Sequence, residues 1–413
     1  MIKKIKTLIK NKERKGLIEN FLSLSSLQII GMVLPLITLP YLLRVLGISN
    51  YGVIVLASSL VAYFNSITDY SFRITATRDV VFFRNSQAKL NLIYSKVFYV
   101  KILLLSLSCS LIILIVLLYP PFYKEKTIYF LSMLMLIGYT LFPEWFFQGI
   151  EKMKYITFLN LGVKLVFTIG VFVFIKNKED YWIYPLLQSL GFIVSGLVAQ
   201  IILIKKYKLR LVWLKNKMVL NTINSNFPIF LNQFFPSLYN NTTTFLLGVI
   251  TNSATLGVYD AIKKVVDLCI VLIDTVSRVF FPFLNRRKDA FFKYKKINLI
   301  ISSSLAVSII ILHQLIFWYL NIGYEHAFSV ICVLAIGIIG YALYDVFGLN
   351  FFLIRREDSL VMRNTVLSST IGLTLAFPLI YFFGIIGAAV NLTFARFLMG
   401  GLLFFKWRRY DKA

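Results

Sequence analysis

Charge is what this chain has least of. Lys, Arg, Asp and Glu make up 15% of its 413 residues, against about 25% in an ordinary soluble domain. A water-soluble fold of this size would lack a polar surface. Acidic residues are scarcer still, 18 against 44 basic ones. The three cysteines, Cys109, Cys269 and Cys332, lie far apart in apolar runs with no CxxC pair, so neither a disulfide framework nor a metal site is expected. His313 and His326 are equally isolated, which argues against a metal-binding or catalytic histidine. No GxxxxGK[ST], HExxH or GxSxG occurs, so the chain carries no signature of ATP hydrolysis, zinc peptidase or serine hydrolase chemistry. Neither an enzyme nor a cofactor is expected.

Apolar residues fill the space, at 58% of the sequence. Runs of about twenty nearly uncharged residues recur, the length that crosses about 30 Å of hydrocarbon at 1.5 Å per helical residue. The runs are continuous rather than alternating, which indicates helices and not a barrel. The pattern predicts an all-α integral membrane protein with twelve spans, over 18–45, 53–73, 92–119, 127–149, 154–175, 181–204, 222–250, 255–282, 297–320, 327–353, 360–383 and 385–405. No small-residue cleavage site follows the first apolar stretch, so residues 1–17 read as an amphipathic cytosolic surface helix rather than a cleaved signal.

Basic residues set the orientation. The termini and the even-numbered connections carry 33 Lys and Arg, the odd connections 5. Basic residues stay on the cytosolic side of membrane proteins, so both termini are expected in the cytosol. The net charge of +26 then belongs to topology and to anionic lipid, not to nucleic acid. The longest basic connection divides the chain into an N-terminal six-helix lobe (18–204), a linker (205–221) and a C-terminal lobe (222–405), followed by a basic tail (406–413). The lobes open alike. "LPLITLPYLLRVLGISNYGV" and "FPSLYNNTTTFLLGVITNSATLGV" each combine a proline-containing span, a polar Asn-Ser turn and a Gly-Val, at Gly52-Val53 and Gly257-Val258. Repeated bundles around a midplane site are a common transporter plan.

"LPLITLPYLLRVLGISNYG", "TDYSFRITATRDV", "FPEWFFQGIEKMKYI" and "GIIGAAVNL" resemble the Wzx-like polysaccharide-biosynthesis flippases of the multidrug/oligosaccharidyl-lipid/polysaccharide exporter superfamily. The resemblance covers nearly the whole chain and is clearest in the first 160 residues. It implies a MATE-like fold of two six-helix lobes. It also implies an activity: moving an undecaprenyl-diphosphate-linked oligosaccharide to the outer leaflet by alternating access, coupled to a proton or sodium ion, for O-antigen or capsule synthesis. Polymerase and assembly proteins would be its partners. Two rivals stand beside it. A drug/cation antiporter of the same superfamily would favour an acidic, aromatic cavity. A membrane glycan polymerase or ligase would need a long outer loop, and none is expected here.

Ionisable residues inside spans are costly, about 2.5–3.5 kcal/mol at the bilayer centre, and so face a cavity or a partner. In the eighth expected helix Asp260, Lys264, Asp267, Asp274 and Arg278 fall on one narrow face, with Lys263 beside it. Two readings fit this stripe. It lines a cavity, where Lys263 and Lys264 attract diphosphate and Asp260, Asp267 or Asp274 exchanges an ion; or it is a self-neutralised i,i+4 ladder. Lys164 and Arg396, about ten residues from their helix ends, are further candidate cations, and Asp345 is a candidate acid able to pair with either. Lys101 lies shallower and could snorkel to the interface. Arg73, four residues after Asp69, stands where a diphosphate would enter, or caps the helix end as a surface ion pair. Glu144 and Gln148 share a face at the inner mouth, with Glu144 meeting Lys101, Lys164 or water. Trp145 and Phe147 suit an interfacial aromatic belt. Asn240, Asn241 and Trp145 are candidate sugar contacts.

Overall fold

Lipid offers no partner to an open backbone amide, so a chain this apolar must close its hydrogen bonds within each segment. In a computed structural model, all regular structure among the described residues is accordingly helical. The structure describes residues 30, 31 and 33–410, except for the side chains of residues 232, 235–237, 239, 240, 279, 282, 286 and 288. The surface helix expected over 1–17, residues 18–29 and the end of the tail, 411–413, lie outside it.

The expected spans have helical counterparts. They are α1 (Val33–Val45), α2 (Gly47–Phe83), α3 (Gln87–Leu118), α4 (Lys126–Gly149) and α5 (Lys154–Phe174), then α6 (Ile183–Lys205), α7 (Asn216–Ile250), α8 (Ser253–Arg286) and α9 (Phe291–Ile311). Next comes α10 (Ala327–Arg355). The stretch Asp358–Tyr410 is broken at Gly384, whose φ of 54° is open to glycine, and its halves are α11 (358–383) and α12 (385–410). Among the described residues, eight stretches are long and apolar enough to cross a membrane, with Asp358–Tyr410 counted as one. The protein is an all-α, multi-pass membrane protein.

Local chemistry interrupts several helices. Tyr70 and Ser71 adopt positive φ and split α2 into Gly47–Asp69 and Phe72–Phe83. Phe142, pushed into extended geometry by Pro143, separates the final turns Glu144–Gly149 from the rest of α4. In α10 the segment Tyr344–Phe352 is a π-helix, a widening often found at functional sites.

The chain forms two compact units. One contains the described residues up to Thr38 with Val61–Gln233; the other contains Leu39–Leu60 with the described residues from Phe234 onward. Residues 39–60 join the second unit in this division, where they pack on α8. A Cβ at Gly52 would collide with the carbonyl of Ser253, and one at Gly257 with the carbonyl of Ile48. The Oγ atoms of Ser49 and Ser253 lie 3.0 Å apart. The two Gly-Val turns of the sequence repeat thus meet within one unit.

Gly52→Ala should therefore lower the melting temperature of the detergent-purified protein, with an overpacking cost of about 1–3 kcal/mol. Gly162→Ala is its control. Nothing lies within 4 Å of an added Cβ there, and the change should be neutral or stabilise by up to about 1 kcal/mol.

Candidate functional site

In the second unit, the i,i+4 spacing of α8 sets charges of opposite sign one turn apart. Lys264 Nζ lies 3.0 Å from Asp260 Oδ2, and Lys263 Nζ lies 2.6 Å from Asp267 Oδ2. The ladder reading is realised for these two pairs, yet neither is sealed: the Lys264 side chain is 37% exposed and that of Asp267 36%. Each pair also recruits a third group from another helix. Buried Tyr51 of α2 donates to Asp260 at 2.5 Å and accepts from Lys264 at 2.5 Å, with the ammonium 5.1 Å from its ring centroid. Arg396 of α12 reaches the other oxygen of Asp267, at 3.1 Å.

The two clusters differ in charge. Asp260, Lys264 and Tyr51 sum to zero, whereas Lys263, Asp267 and Arg396 carry a net positive charge. Arg396 Nη1 is buried with no hydrogen-bond partner among the described residues. Lys263 and Lys264, expected to attract an anion directly, are both engaged by carboxylates. The uncommitted donor capacity sits on Arg396.

Further along the stripe, Asp274 accepts from Tyr341 of α10 at 2.5 Å. Arg278 is exposed. Within its own unit Asp345 pairs with no cation among the described residues, and Arg396, one of its two expected partners, goes to Asp267 instead. One of its oxygens accepts from Tyr294 at 2.5 Å, Asn298 at 3.0 Å and Asn350 at 3.3 Å. The other oxygen is buried and has no partner among the described residues. The π-helix places Asn350 five residues beyond Asp345, where its amide donates to the Asp345 carbonyl at 3.0 Å. Asn391 donates to Thr243 at 3.0 Å. Asn241 is half-buried, and the side chain of Asn240 lies outside the described residues.

The first unit gathers a second cluster at the break in α2. Lys101 is buried at 4% exposure, 3.7 Å from Asp69, and donates to the Tyr139 carbonyl at 3.4 Å. It does not snorkel: its ammonium is buried and held by Asp69 and a backbone carbonyl of the same unit. Gln148 donates to Glu144 at 2.7 Å, and Glu144 lies within electrostatic reach of Arg73, Asp69 and Lys101. The inner-mouth candidates are therefore brought together, with Asp69 rather than Glu144 as the direct partner of Lys101. Thr77 donates to the carbonyl of Trp145 at 3.0 Å. Trp145 and Phe147 are 4% and 0% exposed. Neither forms an interfacial belt, and Trp145 presents no face to a sugar, because the Pro143 turn tucks Glu144–Gly149 against Phe72–Phe83. Lys164 stands apart, in a cavity of ≈120 Å³ with Thr38, Tyr184 and Gln188, its amine filling the place of a Gly31 side chain. Among the described residues no group of three His, Cys, Asp or Glu is placed to hold a metal.

Residues 17–288 match the family described as "Polysaccharide biosynthesis protein". The chain belongs to this family. It is 26% identical over 402 residues to the "Putative O-antigen transporter" of Escherichia coli (strain K12), covering 95% of this chain and 97% of that protein. A Shigella dysenteriae protein of the same description is 24% identical over 371 residues, covering 88% and 93%. Two solved structures share the fold. An inward-facing multidrug resistance MATE family transporter of the MOP superfamily superposes with a TM-score of 0.68 at 11% identity, covering 94% of this chain and 98% of that one. The lipid II flippase MurJ superposes with a TM-score of 0.70 at 14% identity, covering 95% and 87%. The MATE-like fold and the membership read from the motifs are both borne out.

For this polysaccharide biosynthesis protein, sequence reasoning found the charged residues and missed the phenols and amides that hold them. Tyr51 sits in the quoted "SNYG", but a tyrosine in a turn carries no sign of a partner 209 residues away. Tyr294, Asn298 and Asn350 are scattered over two helices. The only signal for them was the isolation of Asp345, which needed donors from somewhere.

Asp267→Asn would leave two cations facing one neutral amide. Breaking a buried ion pair on one side costs about 3–5 kcal/mol, and the partial exposure of Asp267 places the expected loss at the lower end. Thermal unfolding in detergent should show a larger decrease for Asp267→Asn than for Arg278→Gln, whose side chain is exposed.

Proposed function

We propose that this protein is a flippase. It moves a polyprenyl-diphosphate-linked oligosaccharide from the cytosolic to the outer leaflet of a bacterial plasma membrane, for surface polysaccharide synthesis. Similarity over nearly the full length to O-antigen transporters supports the substrate class. The geometric observation that carries the reading is Arg396: a guanidinium with a buried, unpartnered nitrogen in a net-positive triad. A diphosphate needs a cation of this kind in a dry setting, where the planar fork can take two oxygens at once. Lys164 is a second candidate cation, and Asn241 a candidate contact for sugar hydroxyls. Arg73, with Asp69, Glu144 and Gln148, serves the inner mouth.

Alternating access is the mode of movement, with both termini in the cytosol as the basic connections require. Energy comes from an ion gradient. Asp345 suits the ion-carrying role better than Asp260, Asp267 or Asp274, because its second oxygen is uncommitted while Asp260 and Asp267 are held in ion pairs and Asp274 by a phenol. Intramembrane carboxylates of this kind mark proton and ion pathways.

Complementation of a flippase-deleted strain tests the site. Arg396→Glu and Lys164→Glu should each abolish surface polysaccharide while the protein stays in the membrane at normal abundance. Full polysaccharide from both would overturn the assignment. Efflux of cationic drugs without polysaccharide rescue would favour the antiporter instead, the reading that the MATE likeness leaves as second.

Asp345→Asn keeps the size and the acceptor oxygen of the side chain. In proteoliposomes this variant should retain substrate binding and lose the dependence of transport on the imposed proton or sodium gradient. Unchanged gradient dependence would remove Asp345 from the ion path.

A further inference from the structure

At the basic end of the first unit lies a cavity of ≈240 Å³ that the proposed transport path does not use. Each of three helices contributes one stripe to it. The second stretch of α2 supplies Phe72, Asp79 and Phe83; α3 supplies Lys89, Ile93 and Lys96; α7 supplies Thr222 and Asn226. Within each set the spacings are three, four or seven residues, which keeps the side chains on one helical face. The cavity is a product of the packing, not an accident of one loop.

Its charge is positive. Asp79 is the one acid on its wall and has Arg78 3.8 Å away. Lys89 lies 4.1 Å from the centroid of Phe83. Lys96 has neither a hydrogen bond nor an ion pair among the described residues, and it is half-buried beside Ile93 and Val97. An ammonium held against apolar walls, with no carboxylate paired to it among the described residues, is a seat for an anion.

The apolar surface continues in one direction. Counting from Lys96 at 100° per residue, Leu103, Leu107 and Leu114 fall within about 20° of the same line along α3. These three leucines are 47%, 50% and 52% exposed. From Lys96 to Leu114 the line runs about 27 Å by helical rise. A positively charged cleft therefore opens onto an outward apolar track that runs into the depth of the span.

We propose that this cleft holds the headgroup of one anionic glycerophospholipid. Lys96 and Lys89 meet the phosphate, Thr222 and Asn226 the glycerol oxygens, and the acyl chains lie along the leucine track. The volume suits this division, since sites enclosing a whole drug-sized ligand run to about 300–1,000 Å³. Basic pockets between spanning helices on the cytosolic side are where anionic headgroups settle, and the basic connections assign this end to the cytosol. None of the residues named has a role in the transport reading above, so the lipid site stands or falls independently of it.

Native mass spectrometry of the full chain, released from detergent with added phosphatidylglycerol or phosphatidylcholine, tests the proposal. Wild-type protein should retain one phosphatidylglycerol in preference to phosphatidylcholine. The double variant Lys89→Gln/Lys96→Gln should retain at least tenfold less. Asn226→Glu, which sets a carboxylate at the rim and keeps both lysines, should lose retention too, and it gives the answer if the double variant does not fold. Equal retention of both lipids, or undiminished retention in Asn226→Glu, overturns the site. Displacement by inorganic phosphate alone would show a soluble-anion pocket, and tighter displacement by a polyprenyl diphosphate would show a docking place for the transport substrate. Either result also overturns the proposal.

Discussion

A charge in hydrocarbon must find a partner or water, and much of this structure follows from that constraint. The cost of an isolated ion at mid-membrane, about 2.5–3.5 kcal/mol on insertion scales, is a sizeable fraction of the about 5–15 kcal/mol that separates folded from unfolded states. Every intramembrane carboxylate described above accordingly has a donor: Asp69 has Lys101, Asp260 has Lys264 and Tyr51, Asp267 has Lys263 and Arg396, Asp274 has Tyr341, and Asp345 has Tyr294 with two asparagines. Pairing is not uniform, and the exceptions are informative. Among the described residues Arg396 keeps one nitrogen and Asp345 one oxygen without a partner. These two half-satisfied groups are the ones on which the proposed transport reading rests.

The helix breaks serve the same constraint. Opening α10 into a π-helix brings Asn350 back onto Asp345 at a five-residue spacing that an α-helix would not match. The left-handed residues Tyr70 and Ser71 turn the second stretch of α2, placing Arg73 and Thr77 beside the final turns of α4. Tyr70 stacks on Phe230, with centroids 4.6 Å apart, and donates to the carbonyl of Ile223 at 3.3 Å. The strained turn is thereby fixed by an aromatic pair and a hydrogen bond to α7. In each case a local departure from regular helix positions polar groups that the regular helix would have pointed elsewhere.

Most of the fold was legible because membrane insertion is read residue by residue. Apolar run length predicted the helices of the described residues, and the expected gap between the last two spans falls at Gly384. The charged stripe of α8 was legible through helical periodicity alone, including its i,i+4 pairs. Less was legible where partners come from distant sequence. Trp145 looked like an interfacial residue because aromatic belts and buried cores have the same composition. Lys101 looked like a snorkelling side chain because Asp69, 32 residues earlier, carries no mark of its depth.

The sequence by itself therefore determined that this is a helical multi-pass membrane protein, which family it belongs to, and which ionisable residues sit within its spans. These follow from local composition, period and motif, each contained in a short window. Only the tertiary structure decided which charges are spent on one another. It is packing that brings Arg396 to Asp267 across 129 positions and Tyr51 to Asp260 across 209. Packing also leaves Asp345 among neutral donors rather than cations. Such pairings depend on which helix faces touch, and a periodic pattern, identical for every helix that could face it, holds no information about the neighbour.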